Sequence, residues 1–172
     1  KRHLKMMVHI NGYLFSHAGL SEIWCKNNAI DVENLSPDVL CDTINDLLYY
    51  NPKVSEFTMG RNFSDYGDDV TQSPIWIRRA SLFQSAPLHY SQVVGHTPQK
   101  KMNRDLLQSD KELIFIDTIH GGKSYTNSEY LKIRLVGSKE WLYPDIEFLN
   151  KKIDMDGLEK KFRSNKPQFN LF

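Results

Sequence analysis

The sequence predicts a mixed α/β domain, and three features carry that prediction. They are a hairpin signal near the start, one capped amphipathic helix, and a series of short apolar runs that stop abruptly in polar or glycine residues. The 172 residues suffice for one domain with a real core and fall short of a comfortable two. At 40% hydrophobic and 25% charged, the composition is that of a folded globular chain. Lys plus Arg is 22 against 21 for Asp plus Glu, so no global field draws the chain to nucleic acid or an acidic membrane. No apolar run reaches the roughly 18 residues of a membrane span, and no signal-peptide pattern opens the chain. Cys25 and Cys41 are too few for a disulfide framework and lack metal-site spacing. A cytoplasmic protein with no nucleic-acid or membrane partner is the expectation.

The elements follow in order. Met6 to Ile10 is apolar, Asn11-Gly12 is a strong type I′ turn signal, and Tyr13-Leu14-Phe15 forms the return strand. Ser36 and Pro37 are a helix N-cap and first position, Val39, Leu40, Ile44, Leu47 and Leu48 recur at helical spacing, and Asn51-Pro52 stops the helix. Residues 60–74 read as a long polar loop, a kind of segment often used for function. Ile75-Trp76-Ile77, Gln92-Val93-Val94 and Leu113-Ile114-Phe115-Ile116 read as buried strands, and the alternation from Tyr130 to Val136 as a strand with one wet face. After Pro144, the residues Ile146, Leu149, Ile153, Leu158 and Phe162 suit a helix interrupted at Asp156-Gly157. This divides the chain into a main portion, 1–143, and a helical or tail segment, 144–172, whose basic residues from 150 onward read as a solvated face. His120, before Gly121-Gly122, reads as a loop residue, and the glycosylation-like triplets at Asn34 and Asn62 as chance.

Two of the six histidines stand apart. His17 and His96 each follow an apolar strand and are flanked by Gly or Ala, which lets a ligand approach the backbone closely. An imidazole held at the end of a rigid strand is a good transition-metal ligand. The words around them are Phe15-Ser16-His17-Ala18-Gly19-Leu20 and Val93-Val94-Gly95-His96-Thr97-Pro98. Trp76-Ile77-Arg78 lies between, and Phe115-Ile116-Asp117-Thr118 with Gly121-Gly122 follows.

In that order the set resembles the second half of the calcineurin-like metallophosphoesterases, with the nearest likeness to bacterial serine/threonine protein phosphatases and diadenosine tetraphosphatases. The likeness runs from about residue 10 to about residue 136. It implies part of a four-layer α-β-β-α sandwich with two divalent metals, manganese, iron or zinc, in a cleft between two sheets. By resemblance His17 and His96 are ligands of the second metal, and Arg78 contacts the phosphate, with Arg79 the competitor should the register slip by one. A planar guanidinium suits that role because it grips two non-bridging oxygens at once. Asp117, at a strand end, could orient a ligand histidine or simply form a turn.

The chain also departs from the family. No Asp-x-His, Gly-Asp or Gly-Asn-His motif precedes His17, and Gly67-Asp68-Asp69 does not substitute for them. Two histidines are fewer than the three or four protein ligands of a usual catalytic site. The expectation is therefore the C-terminal part of a phosphoric ester hydrolase, lacking its N-terminal half and inactive alone, whose parent acts on a phosphoprotein or small phosphoester. The alternative is a non-catalytic partner-binding module on the same fold. Loss of a partner sheet would expose the three buried runs and favour self-association.

Overall fold

The computed structural model describes residues 4–61, 66–118, 128–137 and 142–151. The fold is mixed α/β, built on a five-stranded sheet. Strands β1 (Met7–Ile10) and β2 (Tyr13–Ser16) form the opening hairpin, joined through Asn11 and Gly12 at φ 46° and 87°, as a type I′ turn requires. Helices α1 (Glu22–Asn27) and α2 (Pro37–Tyr50) follow, then α3 (Arg79–Ser85), β3 (Ser91–Val94), β4 (Asn103–Leu106) and β5 (Glu112–Phe115). The spatial order is β1-β2-β3-β5-β4. Strands β2, β3 and β5 are parallel, and β1 and β4 flank them antiparallel.

Helix α2 is the element most fully specified by sequence. The Ser36 hydroxyl accepts from Val39 N–H and Pro37 opens the helix. Leu40, Cys41, Ile44 and Leu48 face the core, whereas Val39 is half exposed and lies off the apolar stripe assigned to it. The helix packs with Met7, Leu14, Leu20, Trp24 and Tyr90 in one core cluster. A second cluster gathers Ala18, Ile77, Leu82, Val94, Leu113 and Phe115 around α3. Cys25 and Cys41 are free, and burial pushes each thiol up to about 12, so both act as small hydrophobes.

Three expectations are corrected. Ile75-Trp76-Ile77 is a turn rather than a strand: Trp76 and Ile77 N–H both bond to the Ser73 carbonyl, at 3.0 and 3.2 Å, and the chain passes directly into α3. Three residues after Pro74 are too few to outcompete that turn. The helix assigned after Pro144 begins instead as strand β7 (Leu142–Lys151), paired antiparallel with β6 (Ser128–Gly137), so the boundary placed at 143 falls inside a strand. The register sets Ile133 opposite Ile146 and Leu131 opposite Phe148, a two-residue alternation that the helical reading overlooked. The third correction concerns cover and is partial. Ile77, Val93, Val94, Leu113, Ile114 and Phe115 are buried, Ile75 and Trp76 are half-buried, and Ile116, at the end of the third run, is exposed. The readings of the Asn62 triplet, of His120 to Gly122, and of the chain from Ile153 onward fall outside the described residues.

Asn45 joins α2 to β1. Its Oδ1 accepts from Met6 and Met7 N–H at 2.8 and 3.1 Å, and its Nδ2 donates to the Met7 carbonyl at 2.8 Å. Asn45→Leu keeps the branched shape and leaves those backbone groups unpaired. It should lower unfolding free energy by about 1–3 kcal/mol, measured by urea denaturation; a change indistinguishable from zero would show that water replaces the amide without cost.

Candidate metal and phosphate site

The parallel ladders place the candidate residues. Register pairs Ser16 with Val94 and Val94 with Phe115, so the three strands end level and hand over to His17, Gly95-His96 and Ile116-Asp117 on one rim. Carboxyl ends of parallel strands are where open α/β sheets assemble ligand sites. The loop after β2 is held closely. Gly95 N–H donates to the His17 carbonyl at 2.9 Å and Ala18 N–H to the Pro74 carbonyl at 2.8 Å. Gly19 sits at φ 114° against α3, where a Cβ would lie 2.4 Å from a Leu82 methyl, so only glycine fits. Beneath the loop, the fully buried Gln92 amide accepts from Leu20 N–H at 2.7 Å and donates to the Leu20 carbonyl at 3.1 Å.

These constraints bring the two histidines together. His17 Nε2 lies 3.0 Å from His96 Nδ1, with the rings edge to face at 4.9 Å between centroids. The contact is an N–H···N hydrogen bond in which one ring donates to the other. Two nitrogens bound to one metal at about 2.1 Å also lie roughly 3–3.4 Å apart for right-angle to tetrahedral geometry, so a cation taking both lone pairs would displace that proton with little movement of the rings. His96 is the centre of a γ-turn, with φ 61° and Thr97 N–H bonded to the Gly95 carbonyl at 2.7 Å. Positive φ at a non-glycine residue costs free energy and concentrates at functional sites. His96 Nε2 is buried and makes no hydrogen bond of full geometry among the described residues, although the Trp76 carbonyl lies close enough to act on the ring. The Trp76 ring stands edge-on to His96 at 6.0 Å, itself fixed by an Nε1–H bond to the Ser55 carbonyl at 2.8 Å.

Arg78 is the N-cap residue of α3, yet its own side chain does not cap. Capping comes from elsewhere. Asp68, 2% exposed, accepts from Arg78 N–H at 2.8 Å through Oδ1 and from Ser81 N–H at 3.0 Å through Oδ2, and the Thr97 hydroxyl accepts from Arg79 N–H at 3.2 Å. Thus Gly67-Asp68-Asp69, dismissed as a ligand motif, supplies the carboxylate that holds the arginine's backbone. A buried anion at a helix N-terminus is favourable because unpaired N–H groups converge there. The two candidate arginines have different surroundings. Arg79 is committed to Asp105 at 2.8 Å and to Gln99 at 3.3 Å. The Arg78 guanidinium carbon lies over the Tyr66 ring, 4.8 Å from its centroid, and the side chain makes no hydrogen bond or ion pair among the described residues. Asp68, Thr97, Gln92 and Tyr66 were not foreseen from sequence, because each acts on a backbone or side chain far away in the chain.

Among the described residues no group of three or more His, Cys, Asp or Glu side chains is placed to hold a metal ion. The described site therefore offers two imidazole donors and one stacked guanidinium, with Asp117 close enough to His96 to act on its charge. Searches against protein-family models, curated proteins and solved structures return no match to this chain.

Burial, followed by the positive charges of His17 and Arg78, lowers the proton affinity of His96, and the Trp76 carbonyl and Asp117 pull weakly the other way. The folded ring therefore stays neutral below the ordinary imidazole value of about 6.5, while the unfolded ring takes up its proton there. Stability should fall as pH drops through that value and level off once the folded ring protonates. Urea denaturation at pH 7.5 and 5.5 should show a smaller loss for His96→Asn, a residue that tolerates positive φ; an equal loss in both proteins would remove His96 from the account.

Proposed function

We propose that this chain carries the second-metal half of a two-metal phosphoric ester hydrolase centre, within an α-β-β-α metallophosphoesterase sandwich. The observation that carries the reading is the 3.0 Å approach of His17 Nε2 to His96 Nδ1 on the rim where three parallel strands end. The lowered proton affinity of His96 keeps its lone pair available for a cation at neutral pH. Manganese, iron or zinc fits imidazole donors better than magnesium does. A divalent metal held there would lower the pKa of a coordinated water and offset charge on the phosphoryl oxygens.

The chain's own residues take the remaining roles. His17 and His96 would hold one cation. Arg78, with its donors uncommitted among the described residues, binds two non-bridging oxygens of the phosphoryl group and stabilises its charge. Arg79 is unsuited to this task because its donors already serve Asp105 and Gln99. The bridging carboxylate and the general acid are not supplied by His17, His96 or Arg78. A polypeptide segment bearing them would approach over the open recess of about 400 Å³ lined by Met6, Val8, Phe15 and Ile75 beside His17. The substrate is a phosphoprotein or a small phosphoester.

Calorimetric titration should show weak binding of zinc or manganese by the chain, lost in both His17→Ala and His96→Ala. Binding unchanged by either substitution would refute the ligand assignment. Hydrolysis of a generic phosphomonoester by the chain with added manganese should stay at background. Turnover that disappears in His17→Ala would mean that the chain holds a complete centre.

A further inference from the structure

We infer that Tyr66 is the positioning residue for Arg78, holding the plane of its guanidinium so that every N–H stays available to an oxyanion. This deepens the reading of Arg78 as the phosphate-binding residue and rests on it. The two consecutive arginines show the physical choice. Arg79 is fixed by a carboxylate and an amide, which consume the donors a phosphate would need. Arg79 also lies over the Phe115 ring at 5.3 Å, whereas the aromatic face of Tyr66, 4.8 Å from guanidinium carbon to ring centroid, is the side-chain contact of Arg78 among the described residues. Stacking engages the flat side of the guanidinium and leaves its in-plane donors unused.

The placement of Tyr66 is not explained by burial, since the residue is 76% exposed. Its backbone adopts φ 55° and is followed by Gly67 at φ 75°. A bulky residue adopts that conformation only where its surroundings over-determine it. Here they do. The Gly67 carbonyl accepts from Gly60 N–H at 2.7 Å and from the buried Gln72 amide at 2.9 Å. The next residue, Asp68, bonds the backbone of Arg78 and Ser81. One short stretch therefore grips Arg78 twice, at its amide through Asp68 and at its guanidinium through Tyr66.

The test compares the full chain with Tyr66→Phe, Tyr66→Ala and Arg78→Ala, by NMR of the arginine Nε–H groups and by titration with inorganic phosphate. In the ligand-free chain the Arg78 Nε–H should be ordered, should remain so in Tyr66→Phe, and should become mobile in Tyr66→Ala while the Arg79 signal is unchanged. Equal order in wild type and Tyr66→Ala overturns the inference whether or not the chain binds phosphate. Phosphate binding should be lost in Arg78→Ala, weakened about two- to fivefold in Tyr66→Ala, and kept in Tyr66→Phe. Binding lost in Arg78→Ala but full in Tyr66→Ala refutes the positioning role alone. Binding intact in Arg78→Ala refutes the phosphate role of Arg78, and with it the inference.

Discussion

Two parallel ladders with one alignment are the constraint on which the rest depends. Because Ser16, Val94 and Phe115 are level across β2, β3 and β5, three separate segments leave the sheet at the same height. A slip of one residue between β2 and β3 would turn the side chains of the slipped strand to the opposite face and carry His17 away from His96, and one between β3 and β5 would shift Asp117 along the rim. The buried side chains on these strands, Leu14, Gln92 and Leu113 on one row and Val94 and Phe115 on another, make that slip costly. The histidine spacing is thus a product of core packing more than of local loop preference.

The placement of Arg78 is set differently, by groups that cap α3. Asp68 is a buried carboxylate whose two oxygens each meet a backbone N–H, and Thr97 adds a third contact from the residue after His96. A charge taken from water is tolerable only when its lone pairs are met in this way. The arrangement ties the loop of Tyr66, the helix of Arg78 and the turn of His96 into one unit. Displacing any one of them would leave polar groups of the others unpaired.

Local chemistry made part of this legible from sequence. Asn11-Gly12 and Ser36-Pro37 specify their turn and helix start through short-range geometry, and Val93-Val94 and Leu113 to Phe115 through continuous apolar character. His17 and His96 were found because their flanking words are distinctive, and the structure brings them together. What escaped was whatever depends on distant partners. Ile75 to Ile77 is as apolar as a strand but is captured by Ser73, and the segment from Leu142 takes the period of the strand it pairs with. The short helices α1 and α3 owe their ends to Ser21, Asp68 and Thr97, two of them remote in sequence. Tyr66 carries no motif at all; its role exists only once Arg78 lies beneath it.

The side chain of Asn45 has a consequence beyond holding a helix to a strand. On β1 the outward N–H and carbonyl of Met7 are the groups that another strand would need in order to add to the sheet. Asn45 offers them an amide oxygen and an amide N–H, as the backbone of a neighbouring strand would. The helix thereby acts as a terminator for the ladder. Sheet extension by a second chain, the usual hazard of an open margin, is opposed at Met7 by one side-chain amide.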